Sequence, residues 1–152
     1  ATLRPAPNRP VFKGLRLTAF LDADRYIKSA PRNRFVTSAV FEHPRVNLGV
    51  NYITATDQTS VRAPRVDSGG YSAWIQPRTK MGLEGVLRFD NVNPNKLRDA
   101  RKKRSLMGVS YWLKTQGSAQ VALFASIEKV NYDALLARAN ERRLAMSFLF
   151  TY

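Results

Sequence analysis

The sequence predicts an all-β fold, an antiparallel transmembrane β-barrel of which about eight strands are visible, forming either a small barrel or part of a larger one. Three observations point there. From Lys13 onward apolar side chains recur at every second residue, the period of a strand and not of a helix. The links between these runs alternate long and short, which gathers the tight turns at one end of the sheet. The last run keeps its alternation up to an aromatic residue, Tyr152, where soluble domains usually fray in polar residues.

Composition narrows the alternatives. At 152 residues the chain has one domain's length. Its 25 Lys and Arg against 11 Asp and Glu give a formal charge of +14, which leaves a nucleic-acid binder, a soluble β domain and a β-barrel membrane protein in play. A hydrophobic fraction of 44% is too high for a disordered basic tail. No stretch approaches the roughly 18 uncharged apolar residues of a membrane helix. There is no Cys, which removes disulfides, thiolate metal sites and Cys nucleophiles. A single His removes any multi-His metal centre.

In chain order, residues 1–12 hold three of the eight prolines and read as an extended lead-in. Residues 13–152 form the barrel portion, with runs at 13–25, 34–42, 45–55, 70–76, 80–90, 104–114, 119–131 and 142–152. The first sets Leu15, Leu17, Leu21 and Ala23 against Arg16, Thr18, Asp22 and Asp24. The third opposes Val46, Leu48, Val50 and Tyr52 to Asn47, Gly49 and Asn51. The fifth, Met81 to Asp90, and the last, with Leu144, Met146, Phe148, Phe150 and Tyr152 on one face, alternate most cleanly. The seventh alternates Val121, Leu123, Ala125 and Ile127 with Ala122, Phe124 and Ser126, while the second, fourth and sixth are less regular. Short links are expected at His43-Pro44, Pro77-Arg78-Thr79 and a Thr115–Ser118 turn containing Gly117. Long ones are expected at 26–33, 56–69, 91–103 and 132–141, with a short helical turn conceivable at Tyr132–Arg138 or at 97–104.

Alternation alone fits a soluble sandwich turned the other way. Strand length and the aromatics favour the bilayer. Runs of 9–13 residues suit a tilted crossing. Phe35, Tyr52, Tyr71 and Phe89 on the loop side, and Phe41, Tyr111, Phe148, Phe150 and Tyr152 on the turn side, fall where a lipid-facing aromatic girdle sits. Charges on the lipid face would cost about 2–4 kcal/mol each at mid-membrane. The register instead sends Arg16, Asp22, Arg34, Glu42, Glu84, Arg88, Asp90 and Glu128 to the lumen, and Lys129 to the outward rim, where it can snorkel.

The interior charges either line a water path or pair with each other and plug a narrow lumen. The basic stretch with Lys96, Arg98, Arg101, Lys102, Lys103 and Arg104 reads as an extracellular loop, either solvated or facing anionic lipopolysaccharide. Nucleic-acid binding is disfavoured because the aromatics alternate within strands and form no stacking platform beside the basic residues. His43, in a turn before Pro44, is badly placed for hydrolase chemistry and reads as structural. Asp22 and Asp24 share a strand face but lack further oxygens for Ca²⁺, so salt bridging to Arg16 and Arg25 is expected. No catalytic residue, metal site or cofactor is expected.

GLRLTAFLDADRYIKSAPRNRF, FEHPRVNLGVNYITATDQ, GYSAWIQPRTKMGLEGVLRFDNVNPN and LMGVSYWLKTQGSAQVALFASIEKVNYD, followed by RRLAMSFLFTY, resemble the C-terminal half of bacterial outer-membrane porins of the phosphate-selective family. The similarity extends from about Gly14 to Tyr152. It implies passive diffusion of small hydrophilic solutes, often anions, through a trimeric barrel of sixteen or more strands. The implied partners are outer-membrane lipid and lipopolysaccharide, the barrel assembly machinery, and further copies or a second barrel segment. The family's constriction loop and main anion-binding arginines lie in its N-terminal half, so none is carried over. A non-conducting barrel serving as anchor or scaffold, and a soluble basic β protein binding RNA, are the other readings.

Overall fold

The computed structural model describes residues 1–10, 12–98, 100–113 and 120–151, with only the backbone of Tyr26 and Thr151. Nine strands form one antiparallel sheet in chain order: β1 (Thr2–Leu3), β2 (Leu15–Ile27), β3 (Ala30–His43), β4 (Val46–Asp57), β5 (Val66–Pro77), β6 (Leu83–Asn93), β7 (Lys102–Leu113), β8 (Gln120–Tyr132) and β9 (Glu141–Thr151). All but β1 run 11 to 14 residues. Among the described residues the one helical feature is a 3-10 turn, Ala134–Leu136. Asp133 caps it by accepting the Leu135 N–H at 3.1 Å.

The sheet is open, with β1 and β9 at its edges. A closed barrel of the eight long strands would need β9 against β2. The outer edge of β2 is already occupied, because Thr2 and Leu3 pair with Thr18 and Leu17 and the Ala1 ammonium donates to the Ala19 carbonyl at 2.7 Å. Part of the expected lead-in is therefore ladder.

Three further expectations change. The long loop foreseen at 26–33 is a two-residue link, Lys28-Ser29, with Ser29 at φ 70°. Pro31 and the surrounding charges concealed it, yet the ladder continues through Asp24↔Arg32 and Arg25↔Pro31. Lys102, Lys103 and Arg104 belong to β7 and not to a loop, each paired on both sides, so the basic connection keeps only Lys96, Arg98 and Arg101. The 97–104 segment forms no helix among its described residues. The links on the loop side are thus 28–29, 58–65, 94–101 and 133–140. On the turn side they are Pro44-Arg45 and 78–82, and the expected Gly117 turn lies outside the described residues. Gly82 closes the 78–82 link at φ +86°, while the Thr79 hydroxyl lies 3.1 Å from both the N–H and the carbonyl of Leu83.

Among the described residues no other element covers either face of this single layer. One face carries the apolar residues, and they are open: Leu87 is 49% exposed, Met107 58% and Phe148 78%. The opposite face holds seven of the ten buried residues among those described (Ala30, Gly49, Glu84, Asp90, Ser110, Ala122 and Val130). With nothing packed on it, a sheet buries one face only by curling around it, so the charged face is the inside of the curve. Among the described residues no large side chain is fully buried.

Candidate functional site

Side chains that are partners in an antiparallel ladder share a face. Tracing the register shows that Arg16, Asp22, Arg34, Glu42, Glu84, Arg88, Asp90 and Glu128 all stand on the inner, charged face. The same tracing puts Phe35, Phe41, Tyr52, Tyr71, Phe89, Tyr111, Phe148 and Phe150 on the outer, apolar face. Tyr152 lies outside the described residues. The division is not absolute, since Phe20, Ile53, Leu106 and Leu149 are also on the inner face.

The inner charges are paired across strands. Arg16 reaches Glu42 at 2.6 Å and Arg34 reaches Asp57 at 2.7 Å. Arg104 donates to Glu128 from Nε at 2.8 Å and approaches Asp90 at 3.4 Å, while Arg88 meets the same Asp90 at 2.9 Å. Four side chains on β6, β7 and β8 thereby form one network beside a cleft of about 480 Å³ lined by Asn51, Ser72, Arg88, Asp90, Lys102 and Arg104. Glu84 takes the Trp112 indole N–H at 3.0 Å and the Arg78 guanidinium at 3.1 Å. Asp22 faces Arg34 in the register, but that guanidinium turns to Asp57. Asp24 accepts the backbone N–H of Arg25 at 2.7 Å, so the bridges expected from this pair to Arg16 and Arg25 give way to other contacts.

Counted on the strands, this face carries seven cations (Arg16, Arg32, Arg34, Arg88, Lys102, Arg104 and Arg143) against eight carboxylates (Asp22, Asp24, Glu42, Asp57, Glu84, Asp90, Glu128 and Glu141). The wall is close to neutral. The excess of the +14 chain lies in the connections and rims.

Sequence reasoning missed several members of this site. Asp57 and Glu141 fall in stretches whose pattern predicts loops, and Trp112 sits in a run whose alternation is weak. Glu141 organises the loop end: it accepts from Tyr132 at 3.0 Å and pairs with Arg138 at 2.9 Å and Arg143 at 2.6 Å. The Arg138 guanidinium lies over the Tyr132 ring at 4.7 Å. His43, on the apolar face at the turn end, stacks on Phe41 with 6.2 Å between centroids, and its Nδ1 accepts the Arg45 N–H at 3.2 Å.

The outer face has a sharp border. Towards the turns it is apolar on every long strand, apart from Thr37 and His43 on β3. Towards the loops it becomes polar, with Asn33, Thr54, Asp67, Asn91, Lys103 and Asn131. Phe35, Tyr52, Tyr71 and Phe89 mark that border; they stand near the middle of their strands because the ladder continues beyond them into the polar zone. The apolar band covers about seven residues per strand, roughly 20 Å along the strand.

The border runs oblique to the hydrogen-bonded rows. It separates Leu144 from Arg142 on β9. The row from Arg142 passes through Lys129, Ser105, Phe89, Ala73, Val50 and Ala39 to Leu17 on β2. On β2 the first residue past the border is Arg25, eight residues further along than Leu17. The band therefore shifts by close to one residue per strand, which is the stagger that tilted strands of a barrel require. Comparison with family models, with curated proteins and with solved structures gives no match.

Proposed function

We propose that this chain is a wall segment of an outer-membrane porin, in the bacterial outer membrane, admitting small hydrophilic solutes with a bias towards anions. The oblique apolar border carries the reading. A band about seven residues deep that cuts across tilted strands, edged by aromatic rings on one side, has the form of a bilayer's slice through a barrel wall, for which roughly 25 Å is usual. Lipid would cover the exposed Leu, Met and Phe residues. The charged inner face would then meet water. An open sheet cannot stand in lipid with bare edges, so the wall is completed by a second barrel segment, either further copies of the chain or another piece.

With the strand charges nearly balanced, the proposed anion bias would arise at the mouth, from Lys96, Arg98 and Arg101 in the connection before β7. The pairing of the inner charges favours a second reading, a non-conducting barrel that anchors or scaffolds a surface complex. Two measurements test the proposal. The refolded chain in vesicles should show heat-modifiable gel mobility, and planar bilayers should show steady conductance steps with anion-selective reversal potentials. Heat-modifiable protein without conductance would select the scaffold. A pool released by salt, without a heat shift, would refute both.

A further inference from the structure

The cleft on the inner face brings three kinds of surface together in adjacent register rows. Val36, Ile53, Gly70, Val92 and Lys102 pair in succession across β3 to β7. The next row towards the turns, roughly 7 Å away, runs Asn51, Ser72, Asp90 and Arg104. Arg88 stands one row further on, paired with Trp74. All of these except Gly70 and Trp74 line the opening of about 480 Å³, which lies within the usual range for small-molecule sites. Hydrogen-bonding capacity is left over there. The Asn51 amide has no partner among the described residues, and neither has the enclosed Ser72 Oγ, although such groups are ordinarily satisfied. Arg88 donates to Asp90 from Nε only, at 2.9 and 3.1 Å, which leaves its two terminal nitrogens without a hydrogen bond among the described residues. Arg104 is engaged by Glu128 and Asp90. Lys102 meets no carboxylate among the described residues, and its Nζ lies 5.6 Å from the centre of the Tyr132 ring. Arg88, Lys102 and Arg104 against Asp90 and Glu128 leave one positive charge in excess.

Each feature removes a class of solute. A small inorganic anion such as phosphate makes no use of the apolar shelf of Val36, Ile53 and Val92. A hydrocarbon carboxylate leaves Asn51 and Ser72 unsatisfied, and a neutral sugar leaves the excess charge unanswered. A sugar acid meets all three conditions, with ring C–H groups for the shelf, hydroxyls for the polar row and one carboxylate for the cation. We propose that the cleft retains hexuronates, the carboxylate on Lys102 and the ring hydroxyls on Asn51, Ser72 and the terminal nitrogens of Arg88. This rests on the porin reading above and names the solute class that such a wall favours.

The test uses the full 152-residue chain refolded in vesicles, with glucuronate, glucose and inorganic phosphate as probes. Binding is read from Trp emission, because Trp74 is the register partner of Arg88, and from interruptions of the current in planar bilayers. Glucuronate should bind more tightly than either of the other two. Lys102→Gln should weaken it about tenfold and leave glucose unchanged. Asn51→Ala, which removes no hydrogen bond among the described residues and so keeps the fold, should weaken it about fivefold. Lys103→Gln makes the same charge change one residue away on the outer face and should leave binding as it is. Phosphate or glucose binding as tightly as glucuronate, Lys103→Gln matching Lys102→Gln, or unaltered binding in Asn51→Ala would overturn the proposal. If the wild type gives no conductance steps, the porin reading fails and this one falls with it. Steady steps that glucuronate never interrupts remove the hexuronate site and leave the porin standing.

Discussion

The Trp74 indole fills the space above Gly49, its register partner on β4: a Cβ built at Gly49 would lie 2.9 Å from two carbons of the ring. The close approach puts a large amphipathic ring against the inner face without a cavity beneath it. Gly49→Ala should displace the ring and cost about 1–3 kcal/mol, the usual range for overpacking. Urea unfolding from vesicles gives the cost, and the Trp emission maximum reports the displacement. An unchanged midpoint with unchanged emission would mean that the ring does not rest on Gly49.

Ser29 holds a left-handed backbone in the two-residue link between β2 and β3. That conformation costs an L residue about 1–2 kcal/mol, which glycine avoids at some expense in unfolded-state entropy. Ser29→Gly should therefore raise stability by up to about 1 kcal/mol, and Ser29→Val should lower it. The comparison is read from the two unfolding midpoints. A stabilised Val variant would contradict the turn geometry.

Ala145 and Met146 are neighbours on β9 facing opposite ways, and both are exposed. In water, arginine at either position should be nearly neutral. In a bilayer, Met146→Arg should cost about 2–4 kcal/mol if it sits near the midplane, less towards an interface, and Ala145→Arg much less. Unfolding in vesicles separates the two, and equal costs would argue that no lipid lies over Met146.

A mouth-based anion bias is sensitive to salt, since exposed charges are screened over about 10 Å at 0.1 M and about 3 Å at 1 M. The anion preference in bilayers should fall as salt rises. Replacing Lys96, Arg98 and Arg101 by Gln should lower it further. Glu128→Gln should raise it, because Arg104 loses its nearest carboxylate. Its stability cost should be about 1.5–3 kcal/mol, the range for hydrogen bonds to charged groups.

The facing of the strands was legible because alternation is the direct imprint of a pleated, one-sided surface. Leu83, Leu87 and Phe89 against Glu84, Arg88 and Asp90 place β6 without ambiguity. Legibility ended at the apolar border. Past Phe35 and Tyr52 the alternation fades, so Arg32 and Asp57 look like loop residues although the ladder carries them. The same blindness hid Lys102, Lys103 and Arg104 within β7. Partners across strands were invisible for another reason. Arg34 chooses Asp57 over Asp22, and Arg104 chooses Glu128, by side-chain reach across the ladder, which no pattern along the chain encodes.

The one-residue climb of the apolar band per strand makes this polypeptide a screw thread and not a flat ribbon. A thread has a pitch, and every strand joined at the β9 edge must inherit it, or its oily stretch will leave the level of the rest. If the wall is completed as proposed, a matching segment has to supply hydrophobic residues at a set height as well as a complementary edge. That requirement excludes most β-strands in a cell as mates for β9.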